Sequence, residues 1–236
     1  MNTAQKTARF AENDGLTLTQ EQIEKLNIYE KLLLEWNKKM NLTAITDSDG
    51  IAIKHFYDSL TPLIFSDLPN GAKIIDVGTG AGFPSVPLAI ARQDLNFVLL
   101  DSLNKRLIFL NEVCNKLNIN AELVHMRAED AAKKLEFREK FNVSISRAVA
   151  ALPVLCEYCL PFVKKGGTFI AMKGINANQE IEASKNAIKI LGAEFEKSIE
   201  IVLPDGSTRF LVIIRKTSNT PNQYPRHGSK IAKKSL

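Results

Sequence analysis

The chain has 236 residues, of which 45% are hydrophobic and 24% are charged, and its formal net charge is +5. These values are typical of globular domains and exclude a disordered or fibrous chain. No apolar run reaches the ~20 residues that span a bilayer, and the N-terminus lacks a signal-peptide core. We therefore expect a cytoplasmic protein that makes no membrane contact.

The first 65 residues are predicted to form a helical appendage. Thr19 and Gln22 have the spacing of a capping box, and apolar residues follow at intervals of three and four as far as Met40. Trp36 lies on this apolar stripe, which favours packing over a functional role. A second helical stretch is predicted from 47 to 65, so the first domain boundary falls between residues 65 and 66.

From residue 73 onward, short β-rich runs alternate with longer helical runs. This alternation is typical of a parallel sheet whose ligand crevice lies at the carboxyl ends of the strands. Strands are predicted at 73–78, 96–101, 121–126, 141–146 and 168–173. Helices are predicted at 82–93, 104–118, 128–137, 151–161 and 176–191.

The end of this domain has a different pattern. A strand near 194–203 is followed by the turn sequence Pro-Asp-Gly-Ser and by a strand at 209–214, which predicts a hairpin. A parallel sheet that ends in an antiparallel hairpin is the arrangement of seven-stranded, Rossmann-like class I methyltransferases, whereas the sheet of a dinucleotide dehydrogenase ends in another parallel strand. The predicted fold is therefore α/β, and the predicted domain runs from 66 to 216.

Residues 217–236 are predicted to be a basic tail. The last 22 residues contain no acidic side chain and the following basic ones: Arg215, Lys216, Arg226, Lys230, Lys233 and Lys234. Such a segment either neutralises phosphates or is a solvated terminus.

A glycine-rich loop, Gly78-Thr79-Gly80-Ala81-Gly82, follows the first strand. Missing Cβ atoms let the backbone approach a ligand, but similar loops occur in NAD-binding domains. Asp76 would repel a pyrophosphate and suits the ammonium of S-adenosylmethionine. Asp101, at the end of the next strand, suits the ribose hydroxyls of either cofactor, or else caps the following helix. Together these residues predict S-adenosylmethionine as the cofactor.

Two further positions face the predicted crevice. Ala128 and Glu129 follow the third strand beside the expected adenine, although a surface helix start explains them equally well. Arg147 ends the fourth strand, where it would grip a phosphate or a guanine edge with two hydrogen bonds, or form a salt bridge. The motifs of enzymes that methylate exocyclic amines or cytosine C5 are missing at this position.

Histidine and cysteine give no sign of a metal site. His55, His125 and His227 are scattered, so we predict structural or solvated roles for them. Cys156 and Cys159 form a C-x-x-C without a second ligand pair, which favours two reduced, apolar residues on a helix.

Several segments have sequences more specific than these motifs. They are residues 36–45 (WNKKMNLTAI), 54–60 (KHFYDSL), 76–84 (DVGTGAGFP), 100–106 (LDSLNKR), 146–150 (SRAVA) and 224–226 (YPR). In these the chain resembles the bacterial ribosomal RNA small subunit methyltransferase G family, also called glucose-inhibited division protein B. Two positions depart from the family pattern. Many relatives have glycine at the position of Ser85, which affects how the helix after the loop packs. Lys is usual at the position of His227, which affects the affinity of the tail for RNA.

The resemblance implies methyl transfer to N7 of a guanosine in the 530 loop of 16S ribosomal RNA, with that RNA or the small ribosomal subunit as the partner. It also implies a cofactor site lined by the following residues, with Asp101 near the ribose: Gly78, Phe83, Ala128, Glu129 and Arg147. The pattern of the glycine-rich loop adds Asp76 and Gly80 to this predicted site.

Guanine N7 carries a lone pair and no proton, so this reaction needs alignment of the reactants rather than a general base. Arg147 is the catalytic candidate. The candidates for RNA contact are Asn37, Lys38, Asn41, Arg226 and Lys230, and we expect a monomer. Two alternatives remain at this stage, a small-molecule methyltransferase and a non-catalytic RNA-binding assembly factor.

Overall fold

The computed structural model describes residues 1–236, and its first elements are the N-terminal helices. Helix α1 (Thr3–Asn13) and helix α2 (Gln20–Met40) both begin with capping boxes, and the one at Thr19 and Gln22 confirms the sequence prediction. Helix α1 was not predicted. Its buried face consists of two threonines and two alanines, whose side chains are too small and too weakly apolar to mark a core-facing helix in the sequence.

The helix predicted over 47–65 divides into three pieces. They are α3 (Ser48–Gly50), a π-helical segment (Ile51–Tyr57) and α4 (Asp58–Phe65), and α4 contains Pro62. Almost every residue between Ile51 and Pro62 is buried, because this stretch lies between α1 and the body of the protein. The wider π-helical turn is a feature frequent at functional sites, and here it carries His55.

Seven strands form one mixed sheet in the order β3-β2-β1-β4-β5-β7-β6. The strands are β1 (Lys73–Val77), β2 (Asn96–Asp101), β3 (Ala121–His125), β4 (Phe141–Arg147), β5 (Val163–Lys173), β6 (Ala193–Val202) and β7 (Thr208–Lys216). Strands β1 to β5 pair in parallel, and β7 pairs antiparallel with both β5 and β6. The predicted parallel sheet with a terminal hairpin is confirmed.

Five further α-helices connect the strands, and a sixth follows the last strand. They are α5 (Ser85–Ala91), α6 (Asn104–Leu117), α7 (Ala128–Ala131), α8 (Leu152–Cys159), α9 (Ala177–Ile190) and α10 (Gly228–Lys233). The prediction of a helix over 128–137 was wrong beyond Ala131. Leu135, whose apolar character favoured a longer helix, is 83% exposed within a run of turns. None of the helices combines the length and apolar character needed to cross a membrane.

Two hydrophobic clusters cover the two faces of the sheet. The larger one joins α1, α2, α4, α5 and α6 to strand residues such as Ile74 and Leu99. The smaller one joins α8 and α9 to residues such as Ile75 and Phe169. The N-terminal helices therefore share a core with the sheet, and the domain boundaries at 65/66 and 216/217 stay predictions. This layering leaves the carboxyl ends of β1, β2 and β4 open to one cavity.

Candidate active site

A cavity of about 510 Å³ lies at the carboxyl ends of the parallel strands. It is lined by the glycine-rich loop after β1, by the end of β2, by residues 126–129 and by residues 147–149. Thr43 and His55 from the N-terminal layer also line it. The cavity thus has one wall from the sheet domain and one from the N-terminal helices.

The glycine-rich loop adopts backbone angles that favour glycine. Gly78, Gly80 and Gly82 have φ values of +74°, +61° and +94°. A Cβ on Gly78 would overlap Val149, whereas a Cβ on Gly80 would meet only one backbone oxygen at 3.9 Å. The space beside Gly80 is therefore free for a ligand to approach the main chain.

Asp101 connects this loop to the next helix. Its side chain accepts hydrogen bonds from the Gly80 N–H (3.0 Å), the Leu103 N–H (2.9 Å) and Arg106 Nη1 (3.2 Å). An ionised carboxylate has about four acceptor positions, so one position remains for a ribose hydroxyl. The predicted helix-cap alternative is wrong, because Leu103 is the N-cap residue of α6 and no side chain caps this helix; the Leu103 bond holds the chain just before α6.

Asp76 lies beneath the loop rather than on the cavity surface. It is fully buried, and its Oδ2 accepts a hydrogen bond of 2.9 Å from the Thr79 hydroxyl, while Oδ1 has no partner. Burial raises the pKa of Asp76 to about 7, against the opposing effect of the Thr79 bond. The geometry gives Asp76 a role in shaping the loop, and its predicted contact with the cofactor ammonium stays a prediction.

Arg147 both forms an ion pair and lines the cavity. Its Nη1 donates to Asp58 Oδ2 (2.8 Å) and to the Lys54 carbonyl (3.0 Å). Its guanidinium carbon lies 5.0 Å from the centre of the Phe83 ring. Asp58 is only 4% exposed, and Arg209 approaches its other oxygen at 3.8 Å. The guanidinium is therefore fixed from the N-terminal layer, with Nε and Nη2 unbonded within the chain.

Aromatic rings form the wall beside Arg147. The His55 and Phe83 rings stack with centroids 4.5 Å apart, and Tyr29 also packs against Phe83 and donates a hydrogen bond to the Ala81 carbonyl. His55 Nε2 lies 2.7 Å from the Thr43 hydroxyl. Burial, with the nearby Arg147 charge, lowers the pKa of His55 to about 4, so its ring is neutral near pH 7.

Of the predicted RNA-contact residues at the end of α2, one forms hydrogen bonds within the chain and two are exposed. Both ends of the Asn37 amide bond to the Thr43 main chain, at 2.9 and 2.8 Å, so Asn37 shapes the loop that carries Thr43. Lys38 and Asn41 are exposed. Trp36 packs against Phe109 as expected.

The predicted RNA-contact residues of the tail lie at a second, separate cavity of about 410 Å³. Arg226 and Lys230 both line it. The Arg226 guanidinium is bound to the buried Glu157, with Nη2 to Oε2 at 2.6 Å, whereas Lys230 is exposed. The alternative of a solvated terminus is wrong at this point, since the tail is docked on the body and Ile231 is fully buried.

Several residues of the site were not predicted to belong to it, and for His55 a structural or solvated role was predicted instead. His55, Asp58 and Thr43 belong to segments that resemble the methyltransferase family, but nothing in their spacing links them to Arg147. The Asp58 and Arg147 pair is separated by 89 residues along the chain. His125 and His227 are exposed, in line with their predicted roles, and Cys156 and Cys159 are fully buried on α8.

A family model described as rRNA small subunit methyltransferase G matches residues 22–205. The chain belongs to this family. A relative named ribosomal RNA small subunit methyltransferase G from Clostridium beijerinckii is 50% identical over 228 residues, which cover 96% of this chain and 95% of the relative. A relative of the same name from Thermoanaerobacter pseudethanolicus is 50% identical over 224 residues, which cover 94% and 93%.

Solved structures with low sequence identity share the fold. A methyltransferase structure from Bacillus halodurans has a TM-score of 0.52 at 14% identity and covers 68% of this chain and 99% of its own. TrmN from Thermus thermophilus has a TM-score of 0.52 at 13% identity and covers 67% and 48%. Together with family membership, these findings confirm the class I fold, the methyltransferase activity and S-adenosylmethionine as the cofactor.

Proposed function

We propose that this chain transfers a methyl group from S-adenosylmethionine to N7 of a guanosine in the 530 loop of 16S ribosomal RNA. The observation that carries the proposal is the juxtaposition of Arg147, Phe83 and a neutral His55 beside the glycine-rich loop. This wall offers the unbonded donor groups of Arg147 to a purine, beside a closely packed pair of aromatic rings. The names of the 50% identical relatives support a small-subunit ribosomal RNA as the acceptor.

The residues of the sheet-side wall suit the cofactor. Open space beside Gly80 accommodates the methionine part, the free acceptor position of Asp101 suits the ribose, and Ala128 and Glu129 lie where the adenine would be held. When bound, S-adenosylmethionine supplies an electrophilic methyl group on a sulfonium. Gly78, which has no side chain, lets Val149 pack against the loop at the edge of the cavity.

The chain positions the acceptor rather than removing a proton from it. Guanine N7 has a free lone pair, and holding it in line with the methyl carbon contributes up to roughly 7–11 kcal/mol in well-oriented systems. Arg147 has two unbonded donor groups for guanine O6 or a phosphate, because Asp58 and the Lys54 carbonyl occupy only Nη1.

Positive charge builds on the purine as the methyl group arrives. The buried carboxylate of Asp58 neutralises Arg147, and the Phe83 ring lies against the Arg147 guanidinium, where its negative face offsets part of the same charge. The wall therefore accepts a cationic base without placing an uncompensated positive charge against its ring.

The exposed basic and polar residues extend this site toward the RNA backbone. Lys38 and Asn41 at the end of α2 and Lys230 on α10 contact phosphates in this proposal, and Arg226 contributes to the same cavity as Lys230. The enzyme acts as a monomer in the cytoplasm, on 16S RNA or on the small subunit.

The test is transfer of tritium from labelled S-adenosylmethionine to naked 16S RNA, to small ribosomal subunits and to a small-molecule extract, followed by cleavage specific for N7-methylguanosine. We expect label in RNA and one cleavage within the 530 loop. Cleavage elsewhere would refute the site. Cofactor binding without transfer to any acceptor would support a non-catalytic assembly factor, and label in the extract alone would support a small-molecule enzyme.

A further inference from the structure

The segment 217–236, here called the C-terminal arm, is tied to the body of the protein at its start. Arg138 donates to the main-chain carbonyls of Thr220 (2.7 Å) and Tyr224 (2.9 Å), and the Thr220 N–H donates to Glu139 at 2.6 Å. Fixed side chains of the sheet domain thus replace the water that would otherwise solvate this stretch of backbone. The arm is a defined part of the structure and not a loose extension.

A second anchor lies at Arg226. Its guanidinium binds both oxygens of Glu157, Nε to Oε1 at 2.9 Å and Nη2 to Oε2 at 2.6 Å, and its main-chain N–H adds a third bond of 2.8 Å. Glu157 is fully buried on α8. Release of the arm would leave this carboxylate buried without a partner, which is strongly unfavourable. The neighbouring side chain, Tyr158, lines the cofactor cavity.

Beyond this anchor the arm touches a residue of the cofactor cavity. Helix α10 begins at Gly228, and a Cβ there would overlap the carboxylate of Glu129. The backbone of Gly228 is not in the left-handed region, so glycine is needed for the close approach and not for its conformation. Glu129 is 6% exposed, and no side-chain or main-chain donor of the chain bonds to its carboxylate. The main chain at Gly228 therefore limits where this carboxylate lies.

We propose that the C-terminal arm completes the cofactor site, with Arg226 and Gly228 as positioning residues that hold the Glu129 carboxylate in place for the adenosine part of the cofactor. The ion pair between Arg226 and Glu157 fixes the position of the arm. The contact between Gly228 and Glu129 then restricts where the Glu129 carboxylate can lie. This inference rests on the proposed function only for the identity of the cofactor.

The primary test adds one methyl group at the contact. Gly228→Ala displaces the end of a flexible side chain, so the protein should fold, with a melting temperature within a few degrees of wild type. We expect the dissociation constant for S-adenosylhomocysteine, measured by calorimetry without RNA, to rise about tenfold, which is an ordinary effect for one misplaced polar contact. Gly174→Ala is the matched control, because a Cβ there meets nothing within 4 Å. Its affinity should equal that of wild type.

A double-mutant cycle tests whether Gly228 affects cofactor binding through Glu129. In a Glu129→Ala background the carboxylate is gone, so adding Gly228→Ala should change the affinity by less than about twofold. A tenfold loss in both backgrounds would overturn the role of Glu129, and an unchanged affinity for Gly228→Ala alone would overturn the whole inference.

A second variant keeps the test available if Gly228→Ala does not fold. Arg226→Lys keeps the charge but loses the bidentate geometry, and we expect it to weaken cofactor binding about threefold. In the Glu129→Ala background, the same substitution should not weaken binding further. Full affinity for Arg226→Lys would then contradict the inference. Normal cofactor binding without methyl transfer to RNA would instead remove the proposed function and leave this inference standing.

Discussion

The two walls of the cavity are built in different ways. On one side, Arg147 and Phe83 of the sheet domain and Asp58 and His55 of the N-terminal layer hold one another by an ion pair and ring stacking. On the sheet side, glycines let the main chain approach the ligand, and Asp101 is bonded mainly to main-chain N–H groups. Side chains therefore define the wall assigned to the RNA base, whereas the backbone defines the wall assigned to the cofactor.

This difference predicts different consequences of substitution. A change in the interlocked side chains should affect the rate of transfer, because they orient the acceptor, and should affect cofactor affinity little. A change on the sheet side should affect cofactor affinity. The following variants test this division, beginning with the largest expected effect.

Arg147→Ala should reduce the single-turnover rate of methyl transfer by at least about 100-fold, since removing one preorganised donor group typically has effects of this size. Cofactor affinity should fall much less, by about threefold at most, even though the family resemblance counts Arg147 among the residues that line the cofactor site. Rapid-quench measurement of labelled RNA and calorimetry with S-adenosylhomocysteine give the two quantities. Arg147→Lys, which keeps a charge for Asp58, separates loss of the guanidinium geometry from loss of charge. Full activity in Arg147→Ala would remove this residue from the mechanism.

The buried His55 should make the protein less stable in mild acid. The folded-state pKa is about 4 and the ordinary value is 6.5, so the unfolded chain binds more protons between these values. The stability due to this neutral ring is present above pH 6.5 and is lost as the pH falls toward 4. We expect a contribution of about 2 kcal/mol to disappear between pH 7 and pH 4.5.

Urea unfolding of wild type and of His55→Gln at both pH values measures this effect. The pKa of Asp76 is raised to about 7, so its titration favours the folded state as the pH falls. This opposite contribution is present in both proteins and cancels in the comparison. An equal loss of stability in both proteins on acidification would show that His55 is not the group responsible.

Asp101→Asn should weaken cofactor binding about tenfold, because the charged acceptor for the ribose is lost. One amide oxygen can still accept one of the bonds that Gly80, Leu103 and Arg106 make, so the fold should survive. Calorimetry with S-adenosylhomocysteine measures the affinity. The transfer rate at saturating cofactor should stay within about threefold of wild type. A larger fall would contradict the assignment of Asp101 to cofactor binding alone.

Tyr29→Phe should have the smallest effect. The Tyr29 hydroxyl joins helix α2 to the Ala81 carbonyl of the glycine-rich loop, and both groups are buried. Loss of one such bond typically lowers the free energy of unfolding by about 1 kcal/mol. Denaturant unfolding measures this value, and an unchanged midpoint would show that the bond does not stabilise the loop.

The sheet and the cofactor wall could be predicted from local sequence. Short β-rich runs, the glycine-rich loop and Asp101 are local signals close together in the sequence, and the structure places them where expected. The N-terminal wall could not be predicted, because the Asp58 and Arg147 contact depends on how the appendage packs on the sheet. The docking of the arm was also missed, since Glu157 on α8 gives no local sign that it binds Arg226.

The central claim is that the site aligns guanine N7 with the methyl donor and removes no proton. The most direct measurement is the single-turnover rate of transfer at saturating cofactor between pH 5 and pH 6.5. This window lies above the pKa of His55, about 4, and below that of Asp76, about 7. We predict a rate that is constant within about twofold across it. A rate that rises about tenfold per pH unit would indicate a general base and contradict the account.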